Sequence, residues 1–254
     1  MKGPSRRDVL GLVSGLGAGF FWPEPARAFA EEGAFHARLL ETPGTAQLGD
    51  ARSAASRWAF ELVERTSAPG RLSVEVIVAD SAAVLREPFL VWSGRADPGE
   101  LSAGAVRRLG EYLHLGGMLV VDDREPATGV FRQAARREMA RVLPDAAPVP
   151  LGENHVLFKT FYILDRPYGR VQGPPTISAI TRGKSTQVLF LEHDLLGALA
   201  RSGENWAHEV IPAGAMQREM ATRMAVNIAM YALCSDYKDD QVHAPFLMRR
   251  RLRR

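Results

Sequence analysis

Gly116-Gly117-Met118-Leu119-Val120-Val121-Asp122-Asp123 constrains the fold more than any other stretch of this chain. Four apolar residues run without polar alternation and end in two carboxylates. A strand of that kind needs cover on both faces, as in the parallel sheet of an α/β protein. The run before it, Ser102 to Leu115, sets Val106, Leu109 and Leu113 on one helical face, with Arg107, Arg108 and Glu111 between them. Ser102 is suited to cap that helix, and Gly116 to end it in the left-handed conformation. Ligands of open α/β sheets sit beyond the carboxyl ends of strands. Asp122 and Asp123 therefore mark a place, without naming a chemistry.

The rest of the chain repeats the alternation. A strand is predicted over 35–40 and a helix over 53–66, with Trp58 and Leu62 inward and Phe60 and Val63 as further inward candidates. Strands follow over 72–78 and 88–92. A helix over 131–143 places Phe131, Ala135, Met139 and Val142 inward, with Arg132, Arg136, Arg137 and Glu138 outside. Turn residues dominate 167–175. Strands over 177–180 and 187–191 and a helix over 217–233 complete the pattern. Strands alternating with helices predict one three-layer α/β domain, a mostly parallel sheet with helices on both faces.

Residues 1–28 read as an export signal. Arg6-Arg7 precede a short, glycine-rich apolar stretch, Val9 to Trp22, and Ala26-Arg27-Ala28 offers a cleavage site. A bilayer-spanning helix needs about 20 apolar residues, and this stretch is shorter. The arginine pair points to the twin-arginine route and a periplasmic destination; an uncleaved N-terminal anchor is the alternative. The single cysteine, Cys234, excludes an internal disulfide and reads as a small buried hydrophobe. No Cys/His spacing suits zinc, and neither a metal nor a cofactor is expected.

The net charge of +3 conceals an uneven distribution. Lys2, Arg6, Arg7 and Arg27 against Asp8 and Glu24 give the signal +2. Arg249, Arg250, Arg251, Arg253 and Arg254 give the tail (249–254) +5, which leaves −4 for the body. A mildly acidic globule argues against nucleic acid as a partner. The basic tail offers a contact for an anionic membrane surface or an acidic partner.

Several stretches resemble the bacterial domain of unknown function 4159. They are Trp92-Ser93-Gly94, Tyr112-Leu113-His114-Leu115-Gly116-Gly117, the strand through Asp122-Asp123, His155-Val156-Leu157-Phe158, and Asn227 to Leu233 continuing to Phe246. The resemblance implies a class I glutamine-amidotransferase-like, flavodoxin-like fold. Catalytic members of that superfamily use a cysteine at a strand-to-helix elbow. Cys234 lies in the final helix and no Gly-x-Ser-x-Gly elbow exists, so glutamine hydrolysis is not expected.

Candidate site residues fall at the strand ends. Asp122, Asp123 and Asp194, with His155, form the candidate catalytic set, since converging acids raise each other's pKa and serve as acid and base. Asp80 and Glu192 end neighbouring strands. Arg95 and His193 are candidate ligand contacts, as are His36 and Arg38, for which a structural ion pair with a neighbouring carboxylate is the competing reading. Trp206 and His208 lie in a loop that could cover the site. Two function classes result. The first is a non-catalytic, exported, amidotransferase-like domain that binds a partner protein or small-molecule ligand in the cell envelope. The second is a hydrolase, metal-assisted or not, built on those acids; scaffolding through the basic tail is a third.

Overall fold

The computed structural model describes residues 33–45, 49–183 and 185–251, with side chains to Cys234. The predicted export signal and residues 252–254 lie outside the described residues, as do the side chains of Arg249, Arg250 and Arg251. Seven strands form one sheet: β1 (Arg38–Glu41), β2 (Val76–Val78), β3 (Phe89–Gly94), β4 (Met118–Asp123), β5 (Val149–Leu151), β6 (Ile177–Arg182) and β7 (Ser185–Leu191). Their order is β2-β1-β3-β4-β7-β6-β5. The first five in that order run parallel, and β6 and β5 add an antiparallel edge.

Helices α1 (Ala51–Arg65), α4 (Leu195–Leu199) and α5 (Gly214–Arg251) pack on one face, and α2 (Ala103–His114) and α3 (Val130–Val142) on the other. A hairpin, β8 (Arg201–Ser202) with β9 (Asn205–Trp206), follows α4. The arrangement is the expected three-layer, flavodoxin-like α/β fold. Alternate residues of each central strand feed the two cores. On β3, Phe89 and Val91 enter the core under α1, α4 and α5, while Leu90 and Trp92 enter the core under α2 and α3. Buried Trp58 ties α1 to α5 by donating to the Ala225 carbonyl at 2.7 Å.

Local signals held at α2. Ser102 Oγ accepts from Ala105 N–H, and Gly116 takes φ 96°. Elsewhere the sequence expectation shifts. The strand predicted over 35–40 begins only at Arg38, because Arg38 N–H donates to the His36 carbonyl and the tight turn interrupts pairing. β2 is correspondingly short, with Leu72 exposed ahead of it. On α1, Phe60 is half-buried and Val63 exposed. Glu138 is buried rather than outside, because Leu101 N–H, Arg137 and Arg141 all donate to it. Cys234 is exposed rather than buried. Among the described residues, no helix is long and apolar enough to cross a membrane.

Candidate functional site at the carboxyl edge of the sheet

Asp122 and Asp123 are neighbours on β4, so their side chains leave opposite faces of the sheet. Asp122 shares its face with Ser93, its partner on β3, and turns toward α4. Its two oxygens accept from Leu195 N–H at 2.8 Å and Leu196 N–H at 2.9 Å. These are first-turn donors of α4, which no intrahelical carbonyl serves. Complete burial pushes the Asp122 pKa up to about 7, helped by the Asp194 charge and opposed by Arg124 and the two N–H donors. Asp123, on the other face, accepts from Glu125 N–H at 3.0 Å through Oδ1, while its buried Oδ2 has no partner. Burial raises its pKa as well.

Asp194 occupies the strand-to-helix turn between β7 and α4. Its φ of 52° makes it the only described non-glycine residue with positive φ. Asp194 Oδ1 accepts from Gly197 N–H at 2.8 Å and from Arg124 Nε at 2.6 Å, and Arg170 Nε donates to Oδ2. A side chain at position 197 would overlap the Asp194 carboxylate, so glycine is required there. The Arg170 segment crosses directly over the strand end, with Arg170 N–H donating to Asp194 O and Val171 N–H to His193 O. That crossing leaves no room for a Cβ at Gly169, which would strike the His193 carbonyl. His193 Nε2 bonds the Pro174 carbonyl at 2.9 Å, and its buried Nδ1 has no partner. Burial, with a smaller contribution from Arg166, lowers the His193 pKa to about 4.

Arg124 does not close a local turn with the preceding aspartates. Its guanidinium spans from Asp194 to Asp50, 3.0 Å away at the start of α1. Asp50 also bonds His208, whose loop thereby reaches the sheet edge. Burial disfavours the Asp50 carboxylate, but Arg124 and the His208 hydrogen bond overcome this and hold its pKa below the usual range. Beside Asp50 a cleft of about 210 Å³ opens between the carboxyl ends of β1 and β3. Gly44, Thr45, Ser93, Arg95 and Arg124 are among its walls. In a 2-1-3 strand order this is where chain connections diverge to opposite sides, the usual ligand position of doubly wound sheets.

Residues 37–233, from the approach to β1 into α5, match the family described as Domain of unknown function (DUF4159). The chain belongs to that family. No curated protein matches it. In this DUF4159 domain the eight sequence candidates do not converge. Asp122, Asp194 and His193 gather at the end of β7, and Arg95 stands across Asp50 from them, 3.8 Å from its Oδ2.

His155 lies elsewhere. It caps the turn at 156–159 and packs on Tyr231, whose hydroxyl bonds Thr186 at the amino end of β7. His36 and Arg38 also sit at the amino edge. His36 Nδ1 lies 3.0 Å from Glu87, and Arg38 donates to the carbonyls of Ala83, Val84 and Glu87. Glu87 is the carboxylate that both face, with Arg38 Nε 3.7 Å from its Oε2, which is the structural ion pairing. Asp80 is exposed beyond β2, and Glu192 is paired by Arg132 and Arg136.

Sequence reading missed Asp50 and Arg170. The only local signal for Asp50 was its position before an amphipathic run. A larger cleft of about 760 Å³ lies between α1 and α5 beside Trp206; of its three acids, Glu61 and Glu219 are paired with Arg57, Arg65 and Arg223, and Glu209 is solvent-exposed. The carboxyl-edge cleft is the better candidate, because a buried hydroxyl in its wall, Ser93 Oγ, has no partner.

Proposed function

We propose that this protein is an exported, amidotransferase-like domain that binds a small ligand at the β1/β3 cleft without transforming it. One observation carries the reading. The strand-to-helix elbow, where an amidotransferase-like enzyme would place its nucleophile, holds Asp194, saturated by Gly197 N–H, Arg124 and Arg170. A carboxylate held on both oxygens by two guanidinium groups and a helix N–H is fixed as a cap and ion-pair partner rather than presented as a nucleophile. Asp122 is equally committed to α4. Export is supported by Arg6-Arg7, the short apolar stretch and Ala26-Arg27-Ala28.

Two measurements test the reading. The full chain is incubated with a panel of esters, amides, glycosides and phosphoesters, with and without divalent cations, while thermal shift records binding. Binding without turnover is expected. Turnover lost in a folded Asp194→Asn variant would overturn the reading in favour of the hydrolase. Export is tested by fractionating cells that express the tagged chain and its Arg6→Lys/Arg7→Lys variant. Periplasmic wild type and retained variant are expected; equal distribution would remove the twin-arginine assignment.

A hydrolase remains the second reading because of Asp123, whose Oδ2 is buried without a partner and whose pKa burial raises. Such a carboxyl is suited to general acid catalysis. Loss of any detected turnover in Asp123→Asn, with the fold intact, would single it out.

A further inference from the structure

We propose that the β1/β3 cleft is built for a monoanion, and that it takes the carboxylate head of a small ligand. The proposal rests on the reading of this domain as a binder and names what it binds. Three independent features face the cleft. Ser93 lines it, is only 4% exposed, and leaves its Oγ without a hydrogen-bond partner. A buried hydroxyl in that condition has lost its water without gaining a partner, and a ligand that pairs with it recovers that loss.

The second feature is the start of α1. Asp50 stands at the N-cap but makes no side-chain cap hydrogen bond, because its carboxylate turns to Arg124 and His208. The first-turn N–H groups of this 15-residue helix are therefore left without that cap at a wall of the cleft. Such groups carry partial positive charge and favour an anion.

Arg95 supplies the third. Its side chain is 53% exposed, at the rim, 3.8 Å from Asp50. Among the residues that line the cleft, Arg95 and Arg124 face one carboxylate, Asp50, which leaves one net positive charge. One negative charge satisfies that excess. A second would lie against the Asp50 carboxylate, which disfavours a phosphate dianion. The cleft's size, about 210 Å³, suits a head group rather than a nucleotide-sized cofactor, since sites for larger ligands run to about 300–1,000 Å³.

The test is a titration of the ¹H–¹⁵N amide spectrum of the full chain with sodium acetate, and separately with inorganic phosphate, at matched pH and ionic strength. Acetate is expected to shift the Arg52, Ser53 and Arg95 amides saturably and to bind more tightly than phosphate. Ser93→Ala and Arg95→Ala are each expected to weaken acetate by about tenfold or more while melting like wild type. A linear, unsaturated response in wild type, or unchanged acetate binding in both variants, would overturn the site. Tighter binding of phosphate would overturn the carboxylate assignment. Failure of the wider reading looks different: it is turnover of a substrate by the folded chain, which acetate binding does not report.

Discussion

Beyond β4 and β7 the carboxyl edge is closed by α4 and the Gly169–Gly173 segment, whereas beyond β1 and β3 it stays open. The closed half holds most of the acids that looked catalytic. Asp194 opens α4 directly after β7, so helix N–H groups and two arginines consume it and its neighbour Asp122. The open half looked poorer in sequence and is richer in unmet valence. β3 is followed by eight residues before Ala103 begins α2, so the helix that follows β3 does not come down onto Ser93. Acids at strand ends become structural where a helix starts at once, and polar groups stay available where the connection is long.

The largest expected effect lies in the closed half. Asp194→Ala strips the α4 cap and leaves Arg124, only 3% exposed, without its closest ion-pair partner. Loss of about 3–5 kcal/mol is expected in urea denaturation. A variant that loses less than about 1 kcal/mol would break the comparison, since Asp194 would then be free for function. Gly169→Ala comes next. Its Cβ would strike the His193 carbonyl, and a loss of about 2–3 kcal/mol in the same assay is expected.

The closed half should also leave a two-sided mark on stability against pH. Asp122 has a folded pKa raised to about 7 from an ordinary value of 3.8, so the folded state holds the extra proton between them. Its contribution therefore declines as pH rises through that window. His193 is lowered to about 4 from 6.5, so the unfolded state takes the extra proton and stability declines as pH falls. Between pH 4 and 6.5 the two slopes oppose each other. His193→Gln should unmask the decline toward neutral pH, and Asp122→Asn the decline toward acid. Difference profiles that stay flat for both variants would remove this account.

The open half should be nearly silent in stability. Ser93→Ala removes an unpartnered buried hydroxyl and is expected to leave the unfolding free energy within about 1 kcal/mol of wild type, or to raise it. Arg95→Ala, at an exposed rim, should change it by less than about 0.5 kcal/mol. A severe loss in either variant would mean that the cleft wall is structural after all.

Much of the frame was legible from local pattern. The unalternated run at 118–121 is the central β4, and the stripe from Phe131 to Val142 is the buried face of α3. The structural reading of His36 and Arg38 called for a carboxylate from a neighbouring strand, and Glu87, two residues ahead of β3, supplies one. The site was legible only in part. Asp122 was placed correctly, but its separation from Asp123 across the sheet follows from the two-residue period of a strand, and adjacency in sequence suggested the opposite. Asp50, Arg124 and His208 meet across separations of 74 and 158 residues, and no local propensity encodes such a contact. β5 escaped notice because Val149-Pro150-Leu151 is three residues with a central proline, which only an edge strand accommodates.

The sequence by itself determined the layer architecture, because burial on both faces of a strand and on one face of a helix is written in the spacing of apolar residues. It also determined that acids would stand at the strand ends. Only the tertiary structure decided which of those acids were spent. Hydrogen bonding is short-ranged and saturable, so whether a carboxylate is a cap, an ion-pair partner or a free group depends on which distant N–H or guanidinium the fold delivers to it. For Asp194 the fold delivers three donors; for Ser93 it delivers none.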